Sequence, residues 1–185
     1  MDKALQLLAD RLNQYLGQQF DLDEKIVQLG SPASPDGVMP IEASDRILVF
    51  LTNINKDTLP GRGLDNFSAS QQRSPLYLNL FVAVAANFRT SRYLEALNFL
   101  SHAILCFQQS PVIDHTNQAN MPAGISKLIL DIENTSLAEE SNLWGILGGR
   151  YLPSILYKVR MLTVVDSSTI RQINTVGEPN YSVGT

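Results

Sequence analysis

Residues 46–54 read Arg-Ile-Leu-Val-Phe-Leu-Thr-Asn-Ile, apolar at nearly every position and rich in β-branched and aromatic side chains. A strand wetted on one side alternates polar with apolar; an unbroken run of this kind belongs to a strand covered on both faces. A second strong strand is expected from Leu76 to Ala86, opened by Pro75. Its Leu76, Leu78, Leu80, Val82 and Val84 share one face, and Tyr77, Asn79 and Phe81 the other. A sheet with so much apolar surface needs helices to cover it.

Outward from these strands, Leu5, Leu8, Leu12 and Leu16 recur at helical spacing, predicting an N-terminal helix that ends near Gly17. A short strand, Lys25 to Leu29, follows, and then a dense run of turn formers from Gly30 to Gly37. Ser91 fits the N-cap of what reads as the longest helix, with Leu94, Leu97, Leu100, Ile104 and Phe107 along one stripe and Pro111 closing it. A strand is expected at Lys127 to Ile132. Ser136-Leu137-Ala138-Glu139 has the form of a capping box. It opens a short helix through Trp144, Ile146 and Leu147, ended by Gly148-Gly149. The last long strand runs from Ser154 to Val165, alternating Ile155, Tyr157, Val159 and Met161 against Leu156, Lys158, Arg160 and Leu162. Thr169 to Val176 fits a further strand. Strands and helices in this order lack strict βαβα alternation. The expected fold is therefore α+β: one domain, residues 1–176, with a mixed, largely antiparallel sheet and helices packed mainly on one face. Residues 177–185 form a polar C-terminal tail.

At 185 residues the chain is long enough to bury a core without disulfide staples. Hydrophobic residues are 44% of it and charged residues 17%, which argues for a folded domain with some surface meant for partners. The net charge of -4, with no basic stripe, excludes the usual electrostatics of nucleic-acid binding. The N-terminus enters an amphipathic pattern with no signal-peptide apolar region, and no run approaches the ~20 residues of a membrane span. The expected location is the cytoplasm, without membrane insertion.

No catalytic constellation emerges. His102, on the long helix, has no metal-ligand set around it, and His115 in Asp114-His115-Thr116-Asn117 reads as a turn residue. Cys106, the lone cysteine, lies beside Ile104 and Phe107 and reads as a small buried hydrophobe; a nucleophile would need an accessible, electropositive setting. Gly61-Arg62-Gly63 and Gly148-Gly149-Arg150 lack the spacing and the Gly-Lys-Ser/Thr ending of a phosphate loop. Glu139 and Glu140 diverge by about 100° around a helix and make no acid pair. No enzyme activity, cofactor, metal or catalytic residue is expected.

Long loops at about 30–45, 56–75 and 111–126 read equally as tolerated surface excursions or as arms reaching neighbouring subunits.

The order of segments resembles the tail-terminator, or cap, proteins of phage-tail-like contractile injection systems of the antifeeding-prophage type. The resemblance covers almost the whole chain: the Leu5-Leu8-Leu12 helix, residues 26–32, the strand 47–54, the Ser74-to-Leu80 segment, the helix 94–109 with Pro111-Val112-Ile113, and above all Leu137-Ala138-Glu139-Glu140-Ser141-Asn142-Leu143-Trp144 followed by Ser154-Ile155-Leu156-Tyr157-Lys158-Val159. One departure is the Ala-rich end of the second long strand, where relatives tend to be more polar. The resemblance implies a structural protein: a ring of six copies on the end of the inner tube, fixing particle length and anchoring the last sheath layer. Its partners would be itself, the inner tube protein and the sheath protein, in a particle that is released or membrane-attached. Within the 56–74 arm, Arg62, Phe67 and Arg73 are the expected subunit or sheath contacts, because arginine and aromatic residues anchor interfaces. The competing readings are another component of the same particle (tube, sheath or baseplate adaptor), a small ligand-binding protein, or an enzyme using Cys106 or His102.

Overall fold

In chain order the elements are α1 (Asp2–Phe20), β1 (Val27–Leu29), β2 (Arg46–Lys56), β3 (Tyr77–Asn87), a single 3-10 turn (Thr90–Arg92), α2 (Tyr93–Gln109), β4 (Val112–Asp114), β5 (Ile125–Ile132), α3 (Leu137–Ile146) and β6 (Ser154–Thr163). This computed structural model describes residues 1–33, 44–57 and 77–163. The strands form one six-stranded sheet in the order β1-β2-β3-β6-β5-β4. The β1–β2 pair is parallel and the other four pairs are antiparallel. This is the expected α+β domain with a mixed, largely antiparallel sheet.

Two layers of side chains explain the composition of the central strands. Ile47 and Val49 of β2, Leu80, Val82, Val84 and Ala86 of β3, and Tyr157, Val159 and Met161 of β6 pack beneath α1 and α2 in the main core. Leu48 and Phe50 of β2 and Ala83 and Ala85 of β3 point the other way, into a smaller cluster with Trp144 of α3 and Leu152. The apolar run is continuous at Ile47–Phe50 because β2 is buried from both sides there, as the lack of alternation predicts; the expectation fails at the end of the run, where Asn53 and Ile54 are exposed beyond the reach of α3 and β1. The small Ala83 and Ala85 of β3 leave room on that second face for the Trp144 ring.

Several boundaries move. Helix α1 passes Gly17 and ends at Phe20, with Asp21 in the left-handed conformation (φ 51°). Leu22 N–H then donates to Gly17 O at 3.1 Å. Phe20 packs its ring against Phe99 and His102, with centroids 4.6 and 4.7 Å apart, so a tertiary contact carries the helix one turn further. Aspartate tolerates the left-handed region well enough to serve as the stop. With 19 residues, α1 rather than α2 is the longest helix among the described residues.

Ser91 does not cap α2. It lies inside the 3-10 turn, and the residue at the cap position, Arg92, makes no side-chain cap bond. The buried stripe of α2 is Ala96, Phe99, Leu100, Ala103, Cys106 and Phe107, and Leu94 is 82% exposed. Apolar residues surround much of this helix, so spacing alone fits more than one stripe; the rings of Phe99 and Phe107 select the one that faces the sheet. The two-faced β4, with Ile113 buried in the core, lies in what reads as loop. The expected strand at 169–176 falls outside the described residues.

The capping box at α3 is present in full. The Ser136 hydroxyl accepts from Glu139 N–H at 3.3 Å, and the Glu139 carboxylate accepts from Ser136 N–H at 2.7 Å. Gly148 and Gly149 take φ of 96° and 75° at the other end, which is why glycine stands there.

Candidate assembly interface

The residues with chemical potential are used structurally. Cys106 is buried among the α2 core residues, and desolvation pushes its thiol up to about 11. A thiolate nucleophile needs the opposite shift. His102 places Nδ1 3.0 Å from Asn98 O one turn back and its ring edge-on to Phe20. His115 sits in a tight turn closed by its neighbours: Asp114 Oδ1 accepts from Thr116 N–H at 2.9 Å, and Asn117 Nδ2 donates to Val112 O at 2.7 Å. Among the described residues no group of three His, Cys, Asp or Glu side chains is gathered to hold a metal ion.

The strongest charge cluster is a clasp where β2 begins and β3 ends. Asp45, almost fully buried, accepts from the Arg89 backbone N–H at 3.0 Å and from the Arg89 guanidinium at 2.8 and 2.5 Å. Arg92 adds a contact at 3.2 Å, bonds Glu95, and lies 5.5 Å over the Phe88 ring. The Arg89 guanidinium holds the Asp45 carboxyl down to about 2. Asp45 itself has φ of 56°, so the clasp also fixes a left-handed turn into β2. No sequence motif announces this cluster, because its members are far apart in the chain.

At the opposite end of the sheet the chain leaves β2 at Asp57, re-enters at Tyr77, and reaches Thr163 at the end of β6, where Tyr77 pairs with Leu162. Asp57 N–H donates to Tyr77 O at 3.0 Å, and Arg160 Nε lies 2.9 Å from Asp57 Oδ2. The roots of the arm are thus tied together. Arg62, Phe67 and Arg73 lie outside the described residues, as does the 177–185 tail.

Three surface features suit protein contacts. First, α3 is apolar on several sides yet held to the sheet by Trp144: Leu137 and Ile146 are 83% and 84% exposed. A helix with apolar residues all round is normally covered, and that pattern, Leu137, Leu143, Trp144, Ile146 and Leu147, is the sequence signal for this surface. Second, a groove of about 340 Å³ runs between α3 and the adjoining sheet face, floored by Phe81, Ala83, Leu143 and Leu156 and edged by Glu133, Glu139 and Glu140. Third, an open cleft of about 520 Å³ lies between the start of α1 and the β1–β2 edge, lined by Leu5, Leu29, Val49, Phe50 and Leu51 with Asp2 and Lys3.

Beyond Val49 the β2 edge extends past its β1 partner, which pairs only with Ile47, Leu48 and Val49. Two devices blunt it. A register shift falls between Leu51 and Asn53, and the Asn53 side chain accepts Ile54 N–H at 2.8 Å. Bulges and occupied N–H groups are how edge strands avoid unwanted pairing. Among the described residues no helix is long and apolar enough to cross a membrane.

The fold is similar to two solved chains. One is the sheath/tube terminator of an extracellular contractile injection system, PVC, in the extended state: 15% identical, TM-score 0.47, covering 95% of this chain and 65% of that one. The other is the anti-feeding prophage cap, the tube terminating cap: 14% identical, TM-score 0.49, covering 94% of this chain and 58% of that one. The chain therefore spans less than two thirds of the length of either. Among curated proteins no sequence matches it. The family profile described as the Pvc16 N-terminal domain matches residues 4–178, nearly the entire chain, and the chain belongs to that family.

Proposed function

We propose that this domain is the structural cap, or tube terminator, of a phage-tail-like contractile injection particle. Copies of it form a closed ring on the end of the inner tube, stop tube growth and so fix particle length. The observation that carries this reading is membership of the Pvc16 N-terminal domain family across residues 4–178. The terminator-like segments noted in the sequence fall within that same span. The physical character of the surface supports it: the exposed apolar helix α3 and a groove beside it suit protein contacts, and the lone thiol is buried.

On this reading the mechanism makes and breaks no bond and the domain is not an enzyme. Each subunit presents two different patches, one fitting the next copy, because a closed ring needs a heterologous interface. The ring has six members, its end faces meet inner tube and sheath, and the terminal sheath layer is anchored to it. Arg62, Phe67 and Arg73 of the 56–74 arm contact a neighbouring subunit or the sheath. Residues 1–176 act as the terminator domain and 177–185 as a tail. The assembly forms in the cytoplasm.

Light scattering of the purified protein across a range of concentrations tests the ring, and electron microscopy of particles from a strain lacking the protein tests the cap. A discrete closed ring together with tubes of uncontrolled length in the deletion strain is the expected result. Particles of normal, uniform length without this protein would overturn the assignment.

A further inference from the structure

The groove between α3 and the sheet is acidic. Its floor is apolar, and the ionisable side chains that line it, Glu133, Glu139 and Glu140, are all acidic. The Glu139 carboxylate is engaged by the Ser136 N–H and hydroxyl at 2.7 and 2.8 Å. Neither Glu133 nor Glu140 forms an ion pair among the described residues. On the same sheet face Lys158 stands across the ladder from Asp131, and Arg160 pairs with Asp57. A groove of this kind fits a segment carrying an apolar side chain with an arginine close by, since the guanidinium fork matches a carboxylate in two hydrogen bonds.

Of the three segments outside the described residues, one carries a net positive charge. Residues 58–76 carry Arg62 and Arg73 against a lone Asp65, with Leu64 and Phe67 between them. Residues 34–43 carry only Asp36 and Glu42, and residues 164–185 carry Asp166 and Glu178 against Arg171, so both are net acidic. The residues that flank the arm, Asp57 and Tyr77, are hydrogen-bonded to each other, and half of a 19-residue segment can span at most ~30 Å when fully extended. The groove reaches Thr52, Asn53 and Phe81, close along β2 and β3 to the arm roots at Asp57 and Tyr77, so the arm of the same subunit is the competing occupant that the test separates. Taken up by a neighbour, the arm joins one patch of a subunit to a different patch of the next, the relation that closes a ring.

We infer that the α3–sheet groove is the receptor for the 58–76 arm of a second copy of this chain, with an arm arginine between Glu133 and Glu140 and an arm apolar side chain on the Phe81–Leu156 floor. This rests on the ring reading and names the surface that makes the ring.

The test uses engineered cysteines, which the buried Cys106 does not confuse. A Glu140→Cys protein is mixed with an Arg62→Cys or an Arg73→Cys protein and crosslinked with a short thiol reagent. Assembly is followed in parallel by light scattering for Glu133→Arg/Glu140→Arg, alone and combined with Arg62→Glu/Arg73→Glu. The expected results are a crosslinked pair of twice the monomer mass in a mixture, a fall in the ring fraction of about tenfold or more on groove reversal, and its recovery when the arm is reversed as well. Circular dichroism of each variant checks that the fold is kept, and Glu139 is left intact because it caps α3. A crosslink that forms only within one chain carrying both cysteines would overturn the inference. So would a ring indifferent to groove reversal, or a groove reversal that cost binding to tube or sheath and left the ring whole. A wild type that assembles into no ring, even on tube ends, would instead overturn the ring reading, while the mixed crosslink still reports separately on arm and groove.

Discussion

Asp45 and Arg89, far apart in sequence, meet through three hydrogen bonds, one to the Arg89 backbone N–H at 3.0 Å and two to its guanidinium at 2.8 and 2.5 Å. Because Asp45 is buried, these bonds join the start of β2 to the exit of β3 where solvent competes little for the carboxylate. Asp45→Asn keeps the size and the tolerance of the left-handed turn but removes the charge. It is expected to cost about 1.5–3 kcal/mol, the range for hydrogen bonds to a charged group, read as a lower denaturant midpoint at unchanged slope.

The same clasp sets a pH dependence. The folded carboxyl of Asp45 is held down to about 2, below its ordinary value of 3.8. A depressed carboxylate stabilises the fold fully above the ordinary value, and that contribution fades as the pH falls toward the folded one. Wild-type stability should therefore drop between about pH 4 and pH 2, and Asp45→Asn should flatten that part of the curve. Equal slopes for the two proteins over this window would refute the assignment.

Tyr157 is buried beside Phe107, ring centroids 5.2 Å apart, and its hydroxyl has no hydrogen-bond partner among the described residues. Burial raises the energy needed to ionise it. An unsatisfied buried hydroxyl costs about 1–3 kcal/mol, so Tyr157→Phe should be neutral or stabilising, measured as an unchanged or higher melting temperature. A clear loss of stability would mean that the hydroxyl is satisfied.

Cys106 should resist thiol reagents in the native protein at neutral pH and react on unfolding. Its burial and its thiol pushed up to about 11 both suppress the thiolate. Rapid native labelling would reopen the nucleophile reading.

Trp144, the chain's lone tryptophan, docks α3 on the second face of the sheet through Phe50, at 6.4 Å between centroids. Trp144→Phe should loosen α3, seen as faster amide exchange in residues 137–146 with the exchange of β3 and β6 little changed. In the wild type, its fluorescence should report occupation of the adjoining groove. Equal slowing of exchange across the whole domain on assembly, with no change in that fluorescence, would place the contact elsewhere.

What the sequence determined by itself was everything carried by short-range pattern. The continuous apolar run at 47–50, the alternation at 154–163, the Ser136–Glu139 box and the Gly148-Gly149 stop each express a local constraint, burial on two faces, a pleat, an orphan N–H, a positive φ, that any fold containing them must satisfy. Tertiary structure decided the rest. It chose which stripe of α2 faces inward, because Phe99 and Phe107 found partners and Leu94 did not. It carried α1 past Gly17, because Phe20 could reach Phe99. It gathered Asp45 with Arg89 and Arg92, and set three glutamates around one groove, because sheet topology brings together residues that no local spacing connects. Local patterns are legible since their energetics act within a few residues; a clasp or a groove is built from long-range contacts whose loop-closure cost is offset only when the whole sheet forms.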